Sequence, residues 1–182
     1  MKKILFIAIT LMTTIATFGQ TFEEGGKYLH FGIGFGSPYA LSGAKVGLPP
    51  IHTSLEVGVT ENVGIGGLIG YNTAKYESSF FGDTYSWKYS YLLICARGAY
   101  HFVNFDKADV YVGGMLGYNV VSAKFKTTSD LIDESDVASS SASGVAYGGF
   151  LGARKTLGEK VTIFGEIGYS VAWISAGICL NL

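Results

Sequence analysis

The side chains best placed to do chemistry in this chain are also its most isolated. Glu56, Arg97, Arg154 and Glu166 each interrupt a stretch otherwise made of apolar residues, glycine and small polar residues. Two acids and two bases in such surroundings must pair on burial, because an unpaired buried charge costs several kcal/mol. The expected chemistry is an internal ion-pair and hydrogen-bond network. Arg154 and Glu166 flank one short connection and are the expected pair, with Tyr28, His30, His101, Tyr111 and Asn119 able to extend it. The alternative is that the same charges gate a narrow pore.

Other reactive residue types point to less. His30, His52 and His101 are scattered, with no nearby Ser–acid pattern, whereas a nucleophile and its base must lie within hydrogen-bond reach. No enzymatic activity is expected. Cys95 and Cys179 form no C-x-x-C motif, and their predicted strands are too far apart for the ~7 Å Cα separation that a disulfide requires. Two free thiols are expected. Asp130, Asp133, Glu134 and Asp136 cluster in a Ser-rich stretch, but without the spacing and turn glycine of a calcium loop, so a solvated loop is expected there. No cofactor and no metal is implied. A net charge of −1 argues against a nucleic-acid surface.

These residues have to be held by something, and composition limits the choice. The chain has 182 residues, with 26 glycines, 3 prolines, 48% hydrophobic and only 15% charged residues. That excludes disorder, which needs low hydrophobicity and high net charge. Residues 1–19 have the form of a secretory signal peptide: Met1-Lys2-Lys3, an apolar run from Ile4 to Phe18, and a cleavage point after Gly19. Residues 20–182 then form one domain. No later apolar run is long enough for a membrane helix.

Period-two alternation, the signature of a strand, recurs eight times. Leu29, Phe31, Ile33 and Phe35 share one face, and Tyr28, His30, Gly32 and Gly34 the other. Equivalent runs start near Ser54, Val63, Leu92, Val110, Ala146, Val161 and Ile174. One set of faces carries no charge at all; the other carries glycine, small polar residues and the four charges. A soluble barrel would turn its apolar face inward and cover the outside with Lys and Glu. A membrane barrel turns the apolar face to lipid and the polar face to the lumen, and this reading fits better.

The run Val63–Asn72 is repeated in Val110–Asn119 and, more loosely, in Val161–Ser170. Each copy places an outward tyrosine eight residues after the outward valine. Tyr71, Tyr118 and Tyr169, with Tyr147, are expected in an aromatic girdle at the lipid interface, and Tyr100 with Phe102 at the opposite rim. Short turns alternate with longer loops at 37–52, 73–83 and 127–143. A final alternating strand ends on Leu182.

The export signal, eight strands, G-Y strand ends and terminal strand resemble the small outer-membrane β-barrel proteins of OmpA/OmpX type, over about residues 25–182. The resemblance implies an all-β, eight-stranded antiparallel up-and-down transmembrane barrel with periplasmic turns and extracellular loops. The expected role is structural or surface-interacting, in contact with outer-membrane lipid and with an extracellular ligand or surface through loops 37–52, 73–83 and 127–143. The protein is expected to be a monomer in the outer membrane that binds no nucleic acid. The alternative function is a narrow channel or conduit for small or hydrophobic molecules.

Overall fold

The computed structural model describes residues 21–39, 43–80, 83–105, 107–127, 140–158 and 160–182, and every regular element among them is a strand. The predicted signal peptide and the acidic residues Asp130, Asp133, Glu134 and Asp136 lie outside the described residues. The strands are β1 (Lys27–Phe35), β2 (Lys45–Val46), β3 (Ile51–Gly58), β4 (Val63–Phe80), β5 (Asp83–Phe105), β6 (Ala108–Thr127), β7 (Ser140–Thr156), β8 (Val161–Tyr169) and β9 (Ile174–Asn181).

Eight of them close into a ring. From β3 to β8 each strand pairs antiparallel with the next, and β1 joins β3 to β9. The two-residue β2 lies outside the ring, against β4. Following the registers once round from Phe31 returns to β1 about ten residues further along, a shear that tilts eight strands by about 40°. At that size side chains alone can fill the interior.

Alternation dictates which side chains do so. Tyr28, His30, Glu56, Leu68, Leu93, Arg97, Tyr111, Phe150, Arg154 and Glu166 are buried in the lumen. Residues of the opposite phase on the same strands face out: Ile33, Leu55, Ile65, Ile94, Leu116, Leu151 and Ile167 are all exposed. This closed ring with an apolar exterior leaves no sheet edge at membrane depth, as a span in hydrocarbon requires. Inward glycines make room for large neighbours. A Cβ on Gly64 would collide with the Glu56 carboxylate, and one on Gly152 with the Tyr111 ring.

Two features depart from the sequence expectation. The described residues of the expected loop 73–83 are strand. β4 runs on to Phe80 and β5 begins at Asp83, paired in unbroken register from Val63↔Tyr100 to Phe80↔Asp83. Apolar alternation stops near Tyr71, but backbone pairing does not depend on it. Likewise β6 continues to Thr127, and β7 starts at Ser140, inside the expected third loop. Since β3 leaves β4 at Tyr71 and β8 leaves β7 at Gly149, the far ends of β4–β7 form a four-stranded sheet standing clear of the ring.

The first expected loop, 37–52, also contributes strand structure. β2 extends the edge of β4 through Lys45↔Lys75 and Val46↔Ala74, and Gly47 and Leu48 exchange main-chain hydrogen bonds with Thr73. At the opposite end lie both described termini and the short turns.

Candidate functional site

The four charges expected inside the ring are there, together with two partners that complete them. Arg97 lies across from Gly66 and Met115, and its guanidinium grips Glu166 with both terminal nitrogens, Nη2 on Oε1 and Nη1 on Oε2 at 3.2 Å. Tyr111 donates its hydroxyl to Glu166 at 2.8 Å, and Phe150 lies under the Arg97 guanidinium at 4.1 Å. Nearer the turns, Arg154 donates from Nε to Asp109 at 2.6 Å and from Nη1 to Glu56 at 3.3 Å. Its guanidinium also stands over the Tyr28 ring at 4.5 Å.

The expected Arg154–Glu166 pair does not form. The two residues are on adjacent strands, but Glu166 is registered opposite Gly152 and Arg154 opposite Phe164. Arg154 instead meets Asp109, registered directly opposite it on β6, and reaches Glu56 across the ring, while Glu166 reaches across the ring to Arg97.

Asp109 is missed in the sequence, whereas His101 is among the residues expected to extend the network. Asp109 sits one residue before the run assigned to its strand; stepping back two from Tyr111 would have placed it inward. His101 bridges the acids, with Nδ1 at 2.7 Å from Asp109 and Nε2 at 3.1 Å from Glu56. Arg154 Nη2 is farther from that Nδ1, at 3.4 Å. Both ring nitrogens of His101 face carboxylate oxygens, so the imidazole ties Glu56 to Asp109.

The N-terminal segment covers this cluster. Phe22 is completely buried, stacked on His101 with ring centroids 3.7 Å apart and planes 9° apart. A β-bulge between His101 and Val103 shifts the phase of β5, so that Asn104 faces inward opposite Asp109. Asn104 then clamps Phe22, accepting from its N–H at 3.1 Å and donating to its carbonyl at 2.6 Å. Thr21 adds bonds to the Phe105 carbonyl.

The remaining candidates fall as follows. His30 and His52 are buried and set edge-on to Phe164, their ring nitrogens without a hydrogen bond to the described residues. Asn119 is buried on the lumen face. Cys95 and Cys179 are free and belong to separate apolar clusters. Tyr100, Tyr118, Tyr147 and Tyr169 are exposed on the outer face and Tyr71 is half-buried there. Tyr147 stacks on Tyr169, which packs against Trp173. The aromatic residues Tyr76, Tyr85 and Trp87 share the phase of the lumen-facing residues. Trp87 and Tyr85 pack against Phe125 at 5.0 and 6.4 Å, so they do not reach lipid. Among the described residues no group of three or more His, Cys, Asp or Glu could hold a metal.

No family model and no curated protein matches the sequence. Solved structures do. Ail, the attachment invasion locus protein of Yersinia pestis, in complex with the heparin analogue sucrose octasulfate, shares 15% identity with a TM-score of 0.48, covering 86% of this chain and 93% of that one. A second structure of Ail shares 14% identity with a TM-score of 0.47, covering 87% of this chain and 95% of that one. At this identity the likeness concerns the fold. Ring closure, uniform antiparallel pairing of neighbouring strands and an apolar exterior make the fold an all-β, eight-stranded antiparallel up-and-down barrel.

Proposed function

We propose that this protein is a monomeric integral outer-membrane protein, exported by the signal at residues 1–19. Its barrel is a filled anchor, and its work is done by the sheet that stands clear of the ring. The observation that carries this reading is the continuation of β4–β7 past the last wall pairings at Tyr71 and Gly149. Strands built only to span lipid have no reason to continue as a four-stranded sheet with exposed lysines and serines. In the outer membrane the turns face the periplasm and this sheet faces outward.

The lumen supports an anchoring role rather than catalysis or transport. Its carboxylates and guanidinium groups are committed to one another and to His101, and the only His–Asp contact described, His101–Asp109, lies beneath Phe22. A general base needs access to the proton it removes. An extracellular ligand or surface is the expected partner of the sheet. Ail, whose fold is similar, was solved with a heparin analogue, in keeping with a surface role.

The test is made on the outer-membrane fraction of cells producing the whole chain. A folded barrel migrates faster before boiling than after. Ser143→Cys, on the exposed face of β7, is then challenged in intact cells with a membrane-impermeant maleimide. Heat-modifiable mobility with labelling of the new thiol supports the reading. A soluble periplasmic protein, labelling only after lysis, or steady single-channel conductance in a planar bilayer overturns it.

A further inference from the structure

The outward face of the protruding sheet carries a row of like charges. Lys75 is registered directly opposite Lys88, and Lys88 directly opposite Lys124. Lys45 of β2 lies opposite Lys75 on its other side, so four lysines on four adjacent strands stand in one row. Lys126 is two residues beyond Lys124, opposite Ser86. Directly opposed like charges destabilise a sheet, so folding gives no reason for this arrangement. Among the described residues Glu77 is the only carboxylate in ion pairs with the row, at 3.5 Å from Lys45 and 2.5 Å from Lys75. Lys88, Lys124 and Lys126 are exposed, with no ion pair among the described residues.

We propose that this row is a binding strip for the phosphorylated headgroups of the lipids surrounding the barrel. Direction and height identify the partner. The lysines share the phase of Tyr71, Leu92 and Ile94, which face lipid, and not of Asn72, Tyr91 and Leu93, which are buried in the lumen. They lie four residues beyond Tyr71 along β4, which at about 3.3 Å per residue and about 40° tilt is roughly 10 Å further from the bilayer centre. A tyrosine at the interface places its ring among the headgroups, and a lysine stem of about 6 Å can bend its ammonium back toward them. Adjacent strands about 4.8 Å apart spread the row over roughly 14 Å. That is wide enough to engage two phosphates at once. Ser90 and Ser122, one step nearer the lipid on the same face, add hydroxyl donors.

The inference rests on the outward orientation of the sheet and adds the chemistry of one of its faces. Its test uses the whole folded protein, purified in a neutral detergent, and native mass spectrometry with added bis-phosphorylated lipid A. The wild type is compared with the triple variant Lys75→Ser/Lys88→Ser/Lys124→Ser. Heat-modifiable mobility verifies that each is folded, and maleimide labelling of Ser143→Cys in cells checks the orientation separately. The expected result is retention of lipid A by the wild type and a loss of order 100-fold in the variant, with dephosphorylated lipid A retained equally by both. Equal retention of the phosphorylated lipid by folded wild type and variant overturns the proposal. So does a lysine-dependent capture of a soluble sulfated oligosaccharide with no lysine-dependent capture of lipid, which would reassign the strip to an external polyanion.

Discussion

The molecule keeps two populations of charge under opposite rules. In the lumen each acid meets a base: Glu166 with Arg97, Asp109 with Arg154 and His101, Glu56 with the same two. On the outer sheet lysine stands opposite lysine in three consecutive registers. The difference follows from dielectric. Inside, an unmatched charge costs several kcal/mol and is not tolerated. Outside, water and salt reduce repulsion to a fraction of that, so sequence there is free to serve a partner. Matching of charge marks the part built for stability, and mismatch marks the part open to use.

Mutations can break this contrast, beginning in the lumen. Arg154→Ala leaves Glu56 and Asp109 to share only His101, and is expected to cost about 3–5 kcal/mol, read from urea unfolding in micelles. Replacing both members of the other pair, Arg97→Met with Glu166→Met, is expected to cost far less than either single change. A double variant as unstable as the sum of its singles would refute the pairing. Phe22→Ala removes a buried ring from the His101 stack and is expected to lose about 3 kcal/mol; the same unfolding curve reads it, and an unchanged midpoint would mean that the N-terminal segment is not seated.

The outer row predicts the reverse sign. Lys88→Ser removes a like charge from between two others and is expected to stabilise by a few tenths of a kcal/mol up to about 1, most visibly at low salt. A destabilised protein would show that Lys88 has a structural partner. The smallest effect concerns Glu77. The hydrogen bond from Lys75 holds its carboxyl below the ordinary carboxylate range, with the charges of Lys75 and Lys45 adding to this. A depressed acid supports the fold above its unfolded range, and that support is lost as pH falls through its folded value. Protonation also frees Lys75 and Lys45, so phosphorylated-lipid retention is expected to rise in acid, and Glu77→Gln to show the same rise at neutral pH. Retention that falls in the variant would place Glu77 among the ligand contacts.

How much of this could be read in the sequence depends on range. The face of each barrel residue was legible, because lipid outside and packing inside impose strict alternation: Leu55 and Ile65 point out, Glu56 and Arg97 in. Partners across the lumen were not. Arg154 and Glu166 are neighbours along the chain and around the wall, yet tilt and shear send them to different partners, and those offsets arise from eight registers together. Asp109 was lost at a strand boundary, where one more step of alternation would have found it. The ends of β4 and β5 were lost because Lys75 to Ser79 carry no apolar pattern, while their order comes from pairing with Asp83 to Lys88. The lysine row is invisible until those registers are known, since its members lie far apart in sequence.

The clamp between Phe22 and Asn104 has a mechanical consequence. It ties the chain just before β1 to the end of β5, three strands away round the ring. A hoop of hydrogen-bonded strands flattens easily under lateral squeeze, since shear between neighbours bends it without breaking bonds. A strut across the opening triangulates the hoop. The rim at the turn end therefore holds a circular outline, and shape fluctuations of the barrel are pushed toward the other rim.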